Sequence, residues 1–389
     1  MKFSRTSILL CASLLLVGCS SLNQLKFWSD PPKKLPPLPP LESKMEMHSR
    51  WNQKVGSGSR GQYLALTPVI ENDVLYATDA KGYAEAIDIK TNKTKWKNKL
   101  KQPVTGGIAV GQEIVLLGTR KGEVIALSQE TGAEVWRSNV DGEILSNPAI
   151  TSESVVIQTS NNHVFGLDPK TGNTLWTFES SAPALTLRST AHPVVSDDIG
   201  IVGQPNGKLV AFDVKTGDRK WEQTLMIGRG RSELQRMVDI NGDLAVSNGI
   251  LYATSYQGRV GAFDISSGRP YWQREMSSTT GIALVNDNSL AIADTDGVVW
   301  LLDADTGATL WKQDGLKERL LTRPTVVGDK LIVSDHKGLV HALNIDDGKL
   351  VAREQQSKKP IYAPAINNEE NNEFFIFDSA GKLKAYQLS

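Results

Sequence analysis

Ala211-Phe212-Asp213-Val214-Lys215-Thr216-Gly217-Asp218-Arg219-Lys220-Trp221 decides the fold, because the chain carries this pattern seven times. Six copies end on a tryptophan: Trp96, Trp136, Trp176, Trp221, Trp272 and Trp311. The seventh, Ala342 to Ala352, has lost it. Where the copy has its aspartate (Asp88, Asp168, Asp213, Asp264, Asp303), the tryptophan follows eight positions later.

Each copy sits in the same surroundings. An alternating run such as Gly122-Glu-Val-Ile-Ala-Leu127 leads in, a Thr-Gly turn follows, and a short strand carries the Trp. Upstream lie a second apolar strand, such as Ile114 to Gly118, and a tight tip. The tips are Gly82, Gly122, Asn162, Gly207, Gly258, Gly297, Gly338 and Gly381, residues that tolerate the positive φ of short hairpins. Further upstream a strand often opens on X-Pro, as at Thr67-Pro68, Asn147-Pro148, His192-Pro193, Arg323-Pro324 and Ala363-Pro364. Proline suits a strand's beginning or an edge. Four antiparallel strands in about 40 residues make one blade of a β-propeller.

The chain ends settle the count. The eighth tip, Gly381, opens a third strand, and the chain then stops at Ser389. Ser49 to Val55 supplies the missing fourth, with Trp51 in the repeat position. The expectation is an all-β, eight-bladed propeller of four-stranded antiparallel blades over residues 48–389, its last blade closed by the N-terminal strand. Closure leaves no open sheet edge around the ring.

The repeated residues read as structural. A catalytic carboxylate is needed once or twice, not five times in one register; turn hydrogen bonding explains the aspartates. The tryptophans fit as fillers between blades. The five histidines (His48, His163, His192, His336, His341) are scattered, and no zinc-protease, nucleophile-elbow, phosphate-loop or EF-hand motif occurs. His192 and Arg323 precede equivalent prolines and are expected at the mouth of the channel. No catalytic residue, metal or cofactor is expected.

Composition narrows the class further. Of 389 residues, 43 are Lys or Arg and 43 Asp or Glu, which disfavours a nucleic-acid binder relying on a positive field. The two cysteines, Cys11 and Cys19, both lie in the first 20 residues, so the body has no disulfide, Cys-ligated metal or Cys nucleophile. Lys2 and Arg5 precede a short apolar run, Ile8 to Val17, ending Leu16-Val17-Gly18-Cys19. This resembles a bacterial lipobox. Residues 1–18 are expected to be removed and Cys19 lipidated, and Ser20 after it implies the outer membrane. Acyl chains anchor by about 0.8 kcal/mol per buried CH₂. Residues 19–47, with six prolines between Pro31 and Pro40, read as an extended tether of roughly 85 Å at most. A Pro-rich peptide ligand is the other reading.

Departures from the period point to the functional face. Successive Trp spacings are 40, 40, 45, 51 and 39, so extra length falls after Trp176 and Trp221. Both insertions join a fourth strand to the next first strand, on the face of the tips. Insertions of this kind are often binding loops. The first contains Ala184-Leu-Thr-Leu-Arg-Ser-Thr190, the second Ile227 through Asp239-Ile-Asn241 to Asp243. Leu185, Leu187 and Arg188 have the makeup of a partner patch, apolar anchors beside an arginine; a solvated loop is the alternative.

The A-x-D-x-x-T-G-x-x-x-W unit resembles the repeat of pyrroloquinoline-quinone (PQQ) dehydrogenase propellers, which enzymes and non-enzymes share. Lipobox, Pro-rich tether and eight such blades with nothing added resemble, over essentially the whole chain, the BamB family of outer-membrane assembly lipoproteins. That resemblance implies a non-catalytic scaffold of the β-barrel assembly (BAM) complex. It would sit on the periplasmic side of the outer membrane, held by its lipid. It would bind the POTRA domains of BamA beside other BAM subunits, as one copy in a hetero-oligomer, and assist insertion of nascent outer-membrane proteins. The family's contact motif matches Leu185-Thr-Leu187-Arg188, and its acidic Asp-x-Asp appears as Asp239-Ile-Asn241, with Asn in place of the second acid. Two other functions compete: a propeller binding carbohydrate or peptidoglycan, and a PQQ-dependent dehydrogenase. The second lacks the vicinal cysteines and a calcium cluster.

Overall fold

The computed structural model describes residues 34–41, 45–368 and 372–389. The leader 1–18, Cys19 and the tether up to residue 33 lie outside them. Eight four-stranded antiparallel sheets follow one another around a ring, a β-propeller. Blades one to seven span residues 69–99, 104–139, 149–179, 194–224, 245–275, 282–313 and 325–355. Blade eight takes three strands from residues 366–388, and its outer strand is Met47–Lys54. That strand pairs antiparallel with Lys382–Leu388, Met47 opposite Leu388 and Lys54 opposite Lys382. The N-terminal segment thus closes the ring, as the missing fourth strand required.

Burial follows strand order. Second strands such as Val74–Thr78 and Ile114–Thr119 are buried throughout, sandwiched between neighbouring blades. Outer strands alternate: in Lys93–Lys99 only Trp96 is fully buried, while the lysines face water. The core is therefore a series of layers between blades.

The Trp repeat makes those layers specific. Each indole donates its N–H to a carbonyl of the next blade, Trp96 to Gln129, Trp136 to Pro169, Trp176 to Val214, Trp221 to Ile265, Trp272 to Ala304 and Trp311 to Ile345, at 2.6–3.0 Å. The indole face lies on the glycine of that blade's turn: Gly132, Gly172, Gly217, Gly268, Gly307 or Gly348. A Cβ on any of them would stand 2.5–2.7 Å from the ring, and all have φ between +70° and +76°. Glycine meets both demands at once. The aspartates build the same turn. Asp168 Oδ1 accepts from the Thr171 amide at 2.8 Å, and Gly172 N–H donates to the Asp168 carbonyl at 2.8 Å. Hydrogen bonds from Thr91, Thr171 and Thr306 hold the carboxyls of Asp88, Asp168 and Asp303 below the usual range.

The missing tryptophan has a structural reason. Ala352 faces blade eight, where the third strand ends at the C-terminus and the fourth begins at Met47, so there is no Thr-Gly turn to cover. Ala352 packs instead in a cluster with Met47, Phe374 and Tyr386. On the other side of that blade Trp51 holds the repeat position, and the first blade's turn carries Asn92 (φ +55°) where the other turns carry glycine. It packs 5.5 Å from Phe375, and its buried N–H has no partner among the described residues.

Two details differ from the sequence reading. At the fifth tip the positive φ falls on Gln257 (+47°) and not on Gly258, whose Cβ would stand 2.1 Å from Ser255 Oγ. Gly258 is needed there for space. Within the stretch read as tether, Leu38 packs against the core layer of Leu316, Leu331 and Leu343, and the Pro39 carbonyl accepts from Arg353 Nη2 at 3.0 Å.

Gly307→Ala would place a methyl in the left-handed region and into the Trp272 ring. The strain costs about 1–2 kcal/mol and the overpacking about 1–3 more. Gly249, at φ +74° with nothing within 4 Å of a built Cβ, isolates the first term. Urea unfolding should show Gly307→Ala losing distinctly more stability than Gly249→Ala; equal losses would mean the indole contact is soft.

Candidate functional site

Strand direction alternates within each blade, so every connection from an outer strand to the next inner strand lies on the face of the tips. A cavity of about 360 Å³ opens there, lined from seven of the eight connections. Its wall includes Leu187, Arg188, His192, Asn241, Asp243, Arg323, Tyr63 and Tyr362. The two tyrosine rings pack with centroids 4.7 Å apart. Segment 186–190 separates this cavity from a groove of about 300 Å³ that runs outward past Glu143 and Pro205.

The residues singled out from sequence fall into two layers. Leu185 is 42% exposed, and Arg188 is exposed and paired with Glu143 of the preceding connection. Glu143 also forms an ion pair with Arg120, 3.4 Å from its Nε. Leu187 is half-buried at the lip of the cavity. Asp239 and Asn241 lie underneath: Asp239 is 1% exposed and Asn241 8%. The Leu187 amide donates to Asp239 Oδ1 at 2.8 Å, so the buried carboxylate of one long connection fixes the backbone of the other. Asp239 Oδ2 and Asn241 Oδ1 are buried without partners among the described residues. Burial pushes the Asp239 carboxyl up to about 6, against the lowering effect of the Leu187 bond.

Asp243 forms a second cluster, absent from the sequence-derived site. Its Oδ1 lies 2.9 Å from His192 Nδ1 and its Oδ2 3.0 Å from Arg323 Nε, ion-pair contacts; the Arg323 N–H is not aligned for a hydrogen bond. Burial alone would raise this carboxyl; the charges of His192 and Arg323 beside it hold it at about 2. The cluster ties together the connections before blades four, five and seven. A weak signal existed, because His192 and Arg323 precede equivalent prolines and Asp243 ends the second insertion. Glu143 had no signal, since nothing in the repeat marks it.

Asp239 and Asp243 therefore act on stability with opposite signs. Asp239 has its folded pKa above the ordinary value, so the folded chain holds an extra proton between about pH 4 and 6, and stability falls as pH rises through that window. The gap corresponds to at most about 3 kcal/mol. Denaturation of wild type and Asp239→Asn across pH 3.5–7.5 should show the wild type losing ground to the variant between about pH 4 and 6. Parallel curves would show that Asp239 does not titrate there.

Comparison with known proteins fits this geometry. The family model described as "Outer membrane protein assembly factor BamB" matches residues 80–313 and 283–388. The chain is 47% identical to the protein of that name from Pseudomonas aeruginosa, over 98% of both chains. It is 40% identical to that of Legionella pneumophila over the full length of both, and 34% identical to that of Escherichia coli over 88% of both. Among solved structures, BamB from Moraxella catarrhalis superposes with a TM-score of 0.79 at 27% identity, covering 88% of this chain and 100% of that one. A quinohemoprotein alcohol dehydrogenase from Comamonas testosteroni shares the fold alone, with a TM-score of 0.69 at 13% identity over 87% of this chain and 76% of that one. With a repeat lock, a closing strand and two long connections on one face, matched by relatives along its whole length, the chain belongs to the BamB family of outer membrane protein assembly factors.

Proposed function

We propose that this outer membrane protein assembly factor works as a non-catalytic scaffold, docking the POTRA domains of BamA on the face that carries its two long connections. Leu185 and Leu187 are the apolar anchors, and Arg188 supplies the charged contact. Asp239 acts from beneath by holding the Leu187 amide, and Asn241 lines the cavity floor beside it. The hydrogen bond from Leu187 to buried Asp239 carries this reading, because it presents the anchor segment in a fixed shape before a partner arrives. Less ordering entropy is then lost on binding. Other BAM subunits and nascent outer-membrane proteins are further partners in this proposal. Lipidation at Cys19 would hold the chain on the periplasmic side of the outer membrane.

A quinone-dependent oxidoreductase is the competing use of such a propeller. Its quinone is a tricarboxylate and needs free cationic groups. In the cavity, Arg323 and His192 are committed to Asp243. That donor set does not fit the quinone, and a docking role needs no such group.

Calorimetric titration of the chain from Ser20 onward into BamA POTRA domains tests the proposal. Leu187→Ala combined with Arg188→Ala should cost about 2 kcal/mol or more, some thirtyfold in affinity. Equal binding by the variant would move the contact elsewhere. No binding by either protein would favour a carbohydrate ligand, to be followed with cell-wall sacculi.

A further inference from the structure

Between the outer strand of blade four and Asp239, residues 225–238 form a projecting finger. Its two arms cross very closely: a Cβ on Gly228 would stand 2.1 Å from the Arg236 carbonyl oxygen, and one on Gly230, at φ +138°, 2.4 Å from the Gln235 Cβ. The turn is stitched internally. Ser232 caps the short helix Glu233–Arg236 in a capping box with Gln235, and Gln235 Oε1 also accepts the Arg231 amide at 2.8 Å. At its base Met237 and Val238 are buried, and Gln257 Nε2 donates to the Leu234 carbonyl at 3.3 Å, pinning the finger to the tip of blade five. This is a preformed projection, not a slack loop.

What it presents is distinctive. Ile227 is 65% exposed and Leu234 60%. The finger holds three arginines and one glutamate in a chain of zero net charge. Arg236 pairs with Glu233 and also donates to the Gly230 carbonyl at 3.2 Å. Arg229 and Arg231 are exposed, and among the described residues no carboxylate lies within ion-pair distance of either. Two aliphatic side chains and two unneutralised guanidinium groups thus share one rigid turn. That turn runs through Met237 and Val238 straight into Asp239, which holds Leu187.

We infer that the finger is a second grip on the protein docked at Leu187 and Arg188, and that the partner meets it with an acidic surface around an apolar depression. The inference rests on the docking reading above for its partner. Charge complementarity names the chemistry: paired guanidinium groups recognise carboxylates, and exposed aliphatics beside them need apolar cover. Continuity with the Leu187 segment places both contacts on one partner. The guanidinium groups act mainly on encounter, the aliphatics on dissociation.

Biolayer interferometry of the full lipidated chain in detergent, against immobilised full-length BamA, separates the terms. Arg229→Glu with Arg231→Glu should slow association about tenfold at about 50 mM NaCl, with the difference largely gone at about 500 mM. Ile227→Ser with Leu234→Ser should speed dissociation about tenfold at either salt. All four side chains are exposed, so thermal melts should match wild type; a variant that melts early is replaced by Arg229→Gln with Arg231→Gln, which should show about half the logarithmic effect. Leu187→Ala with Arg188→Ala runs alongside. Loss there with wild-type kinetics in both finger variants overturns the finger and keeps the docking site. Loss in the finger variants alone keeps the finger and overturns Leu187 as anchor. Wild-type kinetics throughout overturns both.

Discussion

The contact between each outer-strand tryptophan and the turn glycine of the next blade is the constraint on which the molecule depends. It combines a large apolar surface, a hydrogen bond to a fixed carbonyl and a position where no side chain fits. Because the bond and the stacking are both directional, each blade sets the orientation of the next. The same geometry recurs six times, at Trp96 through Trp311, and fails only beside blade eight. There the chain ends replace the turn, and packing by Met47, Ala352, Phe374 and Tyr386 takes over. Where the turn is missing the lock has no substrate, so alanine is the better residue.

A ring held in this way frees its connections. Outer-to-inner connections carry no part of the interblade lock, so two of them grew without disturbing the blades. They emerge on one face because four alternating strands always return the chain to it. The ionic cluster of His192, Asp243 and Arg323 then joins three connections that are distant in sequence. These ties and the Leu187–Asp239 bond cross-link the face to itself, which favours recognition by shape over recognition by folding on contact.

Periodicity explains what the sequence made legible. Blade number, the closing strand and the structural role of the aspartates all follow from a pattern repeated in one register. The two long connections were legible as departures from it. Depth was not legible. Asp239 sits in the same insertion as the exposed Ile227 and Leu234, and polar character alone places all polar loop residues outside. Only folding shows that Asp239 lies beneath Leu187. Gln257 and Gly258 show the same limit at smaller scale: adjacent residues divided the tasks of strained backbone and free space, and composition credits both to glycine. Leu38 and Pro39, in a proline-rich stretch that reads as spacer, are held by the groove between two blades, which local sequence does not announce.

The buried carboxylate of Asp239 also bears on why the site keeps a destabilising group. Its ionisation is opposed by burial, and one of its oxygens lacks a partner. An apolar residue would avoid that cost but would leave the Leu187 amide unsatisfied. Asparagine would still accept the bond, though more weakly than a carboxylate, and would add two buried donors. The charge-assisted bond is therefore the strongest way to fix the anchor segment from below. The lock between blades supplies stability in six repeated units, and against that reserve one costly carboxylate at the docking face is tolerable. Rigidity at the site and surplus stability in the ring are two consequences of the same repeat.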